Sequence, residues 1–395
     1  MRESNPPASL LRDRNLRVVF SITLMAMLGV ASITPAFPAA ARALDVSPLA
    51  VGLLISAFTL PGVVLTPFLG VLADRVGRKV ILIPSLLLFG IAGAACGLAR
   101  VFEVLVVLRL LQGVGGAALG ALNITLIGDL FEGSRRTAAM GYNSAVLSVG
   151  TALYPAIGGA LATLAWFAPF FLPIAAVPVA VFALLTLKNP EPSPQGDLRT
   201  YLRNALHGMR RRRVVVMFLA GLVTFVLIYG AYLSYLPFVL EGAFGATPLG
   251  IGLVFAVASI ATGIASFFLG RLARLRGEGG LVCAGFALYV VTMLLMPLAP
   301  SLWLLLVLVA IFGAANGITI PSILTIVAAS APHEYRAIYM SVNGMLLRLG
   351  QTIGPLIAGI AFAVWGLASA FWVGAALAAG LLVALVRLNR EPRDA

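Results

Sequence analysis

Charge is scarce in this sequence. Asp, Glu, Lys and Arg make up 10% of its 395 residues, against roughly 25% in an ordinary soluble domain. Acids are scarcer still, 14 against 27 basic residues. A chain that is 61% hydrophobic cannot coat a water-facing surface with so few charges, so it belongs in a bilayer. The only cysteines, Cys96 and Cys283, both lie in apolar segments, which excludes a disulfide framework and a metal-spaced Cys/His set. The two histidines, His207 and His333, fall in polar connections, away from any mid-membrane proton relay. There is no Gly-x-x-x-x-Gly-Lys-Ser/Thr loop and no nucleophile elbow. The reading is of a non-enzyme with no cofactor and no metal, driven by an ion or substrate gradient.

What is present is a series of long apolar runs. About 20 such residues cross the hydrocarbon as a helix. Twelve runs qualify: 17–40, 49–72, 80–99, 103–127, 138–162, 166–187, 214–240, 249–271, 281–299, 302–328, 337–362 and 366–387. The first follows Arg2, Arg12, Arg14 and Arg17 and has no small-residue cleavage site after a short core, so it reads as a span rather than a removable leader. One long connection, 188–213, starts with Pro190, Pro192 and Pro194 and ends in Arg210 to Arg213. It reads as a linker that divides the chain into six-span halves, 1–187 and 214–395.

Lys and Arg set the orientation. Of the 27, 23 fall on the face that carries both termini, while Arg42 and Arg100 alone mark the other. Both termini are therefore expected in the cytoplasm. The basic excess is a topology signal, not a nucleic-acid footprint. The remaining two, Arg109 and Arg348, lie inside spans.

The halves repeat at an offset of 200 residues without a gap. Pro48 and Gly52 recur as Pro248 and Gly252, and Gly113 as Gly313. Arg136, Met140 and Asn143 recur as Arg336, Met340 and Asn343. Gly150, Pro155 and Gly159 recur as Gly350, Pro355 and Gly359. Parallel six-span repeats around a central site are a known transporter architecture.

Between the second and third spans runs Gly-Val-Leu-Ala-Asp-Arg-Val-Gly-Arg-Lys, residues 70–79. Gly70, Leu72, Ala73, Asp74, Arg75, Gly77, Arg78 and Lys79 closely resemble the signature loop of the major facilitator superfamily. Arg109, Gln112, Gly113 and Gly116 resemble its span-4 motif. Gly141, Gly150, Pro155, Gly158 and Gly159 resemble the span-5 motif of its bacterial 12-span drug:proton antiporters, with Tyr154 where that motif has Gly. The resemblance implies an all-α fold of 12 helices in two pseudo-symmetric bundles around a central cavity. It also implies a multi-pass protein of the bacterial inner membrane, acting as a monomer on protons and a small-molecule substrate.

Three groups of residues carry the expected function. Gly70, Asp74, Arg75, Gly77 and Arg78, with Asp129 at the same surface, form a conformational switch in which Asp74 faces the start of span 11. The second copy of the loop keeps Gly270 and Gly277 but has Arg274 for Asp74, so the acid has a role beyond the turn. Arg109, Asp74 and Asp129 are the proton-coupling candidates, Arg109 either facing the cavity or snorkelling outward. Arg109, Gln112, Asn123, Tyr229, Tyr232, Asn316 and Arg348 are the substrate-binding candidates. Arg348 near mid-span either meets a substrate group or is held by a neighbour such as Gln351. Tyr229 and Tyr232, three residues apart, share a helix face. Gly150, Pro155, Gly159, Gly354 and Pro355 read as helix-packing positions.

None of the 14 acids falls near the middle of a span. A lipophilic cation in a low-dielectric cavity needs a carboxylate, whereas here both embedded charges are positive. The expected substrate of this exporter is a neutral, zwitterionic or anionic amphiphile. The alternative is import or exchange of a small organic anion on Arg109 and Arg348.

Overall fold

The computed structural model describes residues 10–187, 209–332 and 335–390. All described secondary structure is helical. Twelve helices are long and apolar enough to span a membrane: α1 (Arg14–Ala43), α3 (Arg78–Cys96), α4 (Phe102–Leu130), α5 (Gly133–Leu164), α6 (Ala168–Thr186), α7 (Arg212–Phe244), α8 (Pro248–Phe267), α9 (Leu269–Leu298) and α10 (Leu302–Ser330), with α2 (Pro48–Val76), α11 (Arg336–Trp365) and α12 (Leu367–Arg390). Helices are what lipid permits, since each backbone N–H and C=O finds its partner inside the segment. Most of the expected linker, 188–208, lies outside the described residues.

The 200-residue repeat is a repeat of packing. Ser47 caps α2 with Pro48 at its first position, and Thr247 caps α8 with Pro248 in the same place. A Cβ on Gly113 would sit 2.2 Å from the Phe58 carbonyl oxygen, and one on Gly313 would sit 2.1 Å from that of Ala258. Thr66 donates to the Ala117 carbonyl at 3.4 Å, and Ser266 to that of Gly317 at 3.0 Å. Lipid tails are as apolar as leucine, so contacts of this kind, more than a hydrophobic drive, hold membrane helices together. One buried cluster gathers residues from Leu10 to Leu187, the other from Met209 to Leu385.

Several helices depart from plain α geometry, and two of the departures, each at a proline, bear on the site. α1 breaks at Thr34–Ala36, around Pro35. In α7, Ile228–Tyr235 is a π-helix, and Ser234 donates back to the Tyr229 carbonyl at 2.6 Å. Pro237 just beyond has no N–H to return to Leu233, which favours the wider i→i+5 pattern upstream.

Candidate functional site

The halves meet through α2 against α11 and α5 against α8. The contacts lie toward the loop face, the end opposite the termini. Ser56 donates to the Thr352 carbonyl at 2.7 Å, and the Thr59 and Thr352 hydroxyls are 2.9 Å apart. A Cβ on Gly252 would sit 2.2 Å from the Pro155 carbonyl oxygen, and one on Gly159 would sit 2.3 Å from that of Pro248. At the symmetry mates the Tyr235 hydroxyl comes nearest, 3.1 Å from a Cβ on Gly52, with Pro355 Cβ at 3.5 Å, and 2.3 Å from one on Gly359, with Leu49 at 2.4 Å. Pro155 cannot bond the Thr151 carbonyl in its own helix, and Ser259 of the other half takes that carbonyl at 2.9 Å. At the rim, Arg42 pairs with Glu241 across the halves. The repeated Pro and Gly residues thus form a crossed seal. Gly350 and Gly354 instead press α11 onto α7, against Leu222 and Val226, and Gly150 lies by Leu24 and Tyr154.

Toward the termini the same helices part. Gly141 of α5, Gly263 of α8 and Gly344 of α11 have open space where a Cβ would be. Among the described residues, no packing comparable to the seal joins α4 to α10 or α11. The halves are thus packed together at the loop face and leave these three glycines uncovered toward the terminal face, and this uncovered side is termed the vestibule.

Arg348 stands where the seal gives way to the vestibule. It reaches out of α11 into the other half, where a Cβ on Gly62 would meet its Cδ at 3.3 Å and one on Gly120 its Nη2 at 2.5 Å. Its Nη1 donates to Gln351 Oε1 at 3.3 Å, the one hydrogen bond its guanidinium makes among the described residues. Tyr229 is its electrostatic neighbour and packs against the amino-terminal core. Asn123, one turn along α4 from Gly120, is half-buried, and its Oδ1 makes no hydrogen bond.

Arg109 is placed differently. It is 1% exposed and lies inside the amino-terminal half, not on the vestibule. Nε donates to the Leu54 carbonyl at 3.0 Å, Nη2 to that of Gly29 at 2.7 Å and Nη1 to Gln112 Oε1 at 2.7 Å. Its guanidinium lies 4.5 Å from the Phe58 ring centroid. The break in α1 explains the site: the Ile33 N–H turns to Val30, leaving the Gly29 carbonyl for Arg109. Gln112, fully buried, belongs to the same group. This corrects the cavity-facing expectation for both.

Tyr232 and Asn316 are also interior. Tyr232 is 5% exposed and stacks on Phe312 at 4.7 Å, and Asn316 accepts from the Tyr289 hydroxyl at 2.6 Å. The π-helix is why Tyr229 and Tyr232 do not share a face: with i→i+5 bonding, a spacing of three no longer returns to one stripe. No pattern in the apolar sequence signals that shift.

At the signature loop, Gly77 ends α2 with φ 99°, and its copy Gly277 has φ 67°. Both values suit glycine alone. Arg78 Nε donates to Asp129 Oδ2 at 2.9 Å, tying α3 to α4. Arg75 is exposed. The surroundings of Gly70 and the side chain of Asp74 lie outside the described positions, as do residues 333–334 at the start of α11.

Twelve spans in two halves that repeat each other's packing are the architecture of a membrane transporter. The chain belongs to the Major Facilitator Superfamily, whose profile matches residues 19–245 and 238–395. It is 27% identical over 356 residues to "Multidrug resistance protein 1" of Bacillus subtilis (strain 168), covering 89% of this chain and 90% of that one. It is 24% identical over 387 residues to "Quinolone resistance protein NorA" of Staphylococcus aureus (strain MRSA252), covering 96% and 98%. Among solved structures it resembles a bacterial homologue of the human lysosomal transporter Spinster, in an inward-facing and occupied conformation. The TM-score is 0.76 at 20% identity, over 98% of this chain and 96% of that one. The chain is a transporter and not an enzyme.

Proposed function

We propose that the protein exports amphiphilic small molecules from the bacterial cytoplasm across the inner membrane by proton-coupled alternating access. The observation that carries this reading is the one-sided seal, with Arg348 at the head of the vestibule it closes. The terminal face, rich in Arg and Lys, is the cytoplasmic one, so this conformation is ready to load from inside. Relatives named for multidrug and quinolone resistance support the direction.

The signature loop acts in the opposite state. There Asp74 meets the start of α11, where the partial positive charge of a helix amino terminus favours a carboxylate. Arg75 and the Arg78–Asp129 bridge brace the loop, with Gly70 and Gly77 setting its bend. With no acid at mid-membrane, Asp74 and Asp129 are the proton-sensitive groups of this mechanism. Arg109 contributes by fixing α1, α2 and α4 as one body. The chain works as a monomer of two halves, 1–187 and 214–395, joined by a cytoplasmic linker.

The free guanidinium N–H groups of Arg348 also favour a second reading, exchange or import of a small organic anion. Proteoliposomes under an imposed pH gradient separate the two. Outward flux of amphiphilic dyes driven by acid outside supports export. Anion-for-anion exchange that ignores the gradient would replace it.

A further inference from the structure

Two arginines are embedded in the spans, and only one of them is satisfied. Arg109 gives all three nitrogens to acceptors inside the amino-terminal half. Arg348 lies about 12 residues into α11, roughly 18 Å of helix rise from its first residue, too deep to snorkel to the cytoplasmic surface. It is half-buried, and only its Nη1 donates, to Gln351. Nε and Nη2 have no partner among the described residues. The group that acts on its charge is Tyr229, and no carboxylate does so. An embedded cation without a counter-charge is costly.

The groups around it are donors as well. The Tyr229 hydroxyl makes no hydrogen bond among the described residues, and Phe225 stacks on its ring at 5.9 Å and steadies it. Gln351 turns its oxygen to Arg348, which leaves its amide nitrogen to donate elsewhere. Asn123, from α4 of the other half, makes no side-chain hydrogen bond. Nε and Nη2 are the side-by-side pair that grips both oxygens of a carboxylate. They lie beside Gly62 and Gly120, where a side chain would crowd or cover the guanidinium. The spans around this cluster are apolar.

We propose that this cluster is a carboxylate site and that the favoured cargo is a monoanionic amphiphile, a single acid on an apolar body. The Nε–Nη2 edge of Arg348 takes the acid, Tyr229 donates to it, and Asn123 meets it from the other half. Gln351 is a positioning residue that holds the guanidinium by Nη1. One cation balances one negative charge, so the loaded site is neutral. This names the cargo of the transport reading but is tested by equilibrium binding, so the two fail separately.

The probes share one ring and differ in charge: 1-naphthaleneacetate, 1-naphthaleneacetamide and 2-(1-naphthyl)ethylamine. Binding to the full chain in nanodiscs of zwitterionic lipid is read by equilibrium dialysis at neutral pH, with empty nanodiscs subtracted. The acid should bind about tenfold or more tighter than the amide, and the amine weakest of the three. Arg348→Gln should erase the advantage of the acid and leave the amide within about twofold. Arg348→Lys should restore only part of it, because an ammonium has no fork. Gln351→Glu keeps the arginine but sets a carboxylate of the protein beside it, so the advantage should again be lost. Tyr229→Phe and Asn123→Leu should each weaken the acid about threefold or more relative to the amide. Equal affinity of acid and amide for the unaltered protein, or no binding of the acid up to about 1 mM, overturns the site whatever the variants do. An Arg348→Gln loss shared by the amide, or a Gln351→Glu protein that keeps the preference for the acid, also overturns it. Gradient-driven flux of a cationic dye with no preference for the acid sinks this site and keeps the exporter. Acid-selective binding without gradient-driven flux does the reverse.

Discussion

The crossed seal makes Gly252 the most sensitive position for conformational balance. An alanine Cβ there would lie 2.2 Å from the Pro155 carbonyl oxygen, whereas ordinary contact begins near 3.4 Å. That oxygen belongs to a helix backbone and cannot swing aside, so α8 and α5 must separate by about 1.2 Å, the difference between those distances. Overpacking of this kind costs about 1–3 kcal/mol. Only the loop-face-closed state bears that cost, because the two helices part when that face opens. A 1–3 kcal/mol bias moves a two-state equilibrium by about 5–150-fold. Spin labels attached to a Leu98→Cys, Leu298→Cys double variant, in a Cys96→Ala, Cys283→Ala background, would report the loop face. Both native leucines are well exposed there, at 69% and 60%. Val76→Cys with Leu275→Cys would report the terminal face. Gly252→Ala should lengthen the first distance and shorten the second. Gly263→Ala, on the same helix with open space around it, is the control and should change neither. A folded Gly252→Ala protein with an unchanged distance distribution would refute the seal as the closing element.

Three further outcomes are expected. Arg109→Gln removes hydrogen bonds to Gly29 and Leu54 and should lower the melting temperature of the purified protein markedly, since each charged hydrogen bond is worth about 1.5–3 kcal/mol. Arg109→Lys should not rescue it, because an ammonium cannot reproduce the three-way fork, and full rescue would argue for a charge-only role. Gly77→Ala forces alanine to φ 99° and should cost about 1–3 kcal/mol in thermal unfolding. Gly344→Ala, in open space at a helical position, should cost little by the same melt. Glu241→Gln breaks the rim pair with Arg42, whose side chain is 64% exposed. Exposed pairs give about 0–1 kcal/mol, so the loop-face distance should shift only slightly, and a large shift would mean that the rim, not the Pro–Gly seal, controls closure.

Periodicity and the repeat made the fold legible, whereas the site depended on features that periodicity does not encode. Twelve spans follow from the length of the apolar runs, and the structure has twelve. The recurrence of Pro48, Gly52, Pro155 and Gly159 at 248, 252, 355 and 359 also contained the seal, although recurrence alone does not separate these residues from Gly113 and Gly313, which pack inside their own halves. Sequence placed Arg109 and Arg348 alike, as costly intramembrane cations. Their difference comes from backbone accidents: the α1 break frees the Gly29 carbonyl for Arg109, whereas Gly62 and Gly120 leave room for Arg348 without supplying an acceptor. Each arginine has a glutamine three residues on, Gln112 and Gln351, so local pattern could not separate a structural pin from a vestibule ligand. The departures from symmetry were the better guide. Arg348 has no copy, since its equivalent is Ser148. Arg109 lacks a copy too, its equivalent being Val309, so what singles out Arg348 is hydrogen-bonding capacity left over at a position confined to one half.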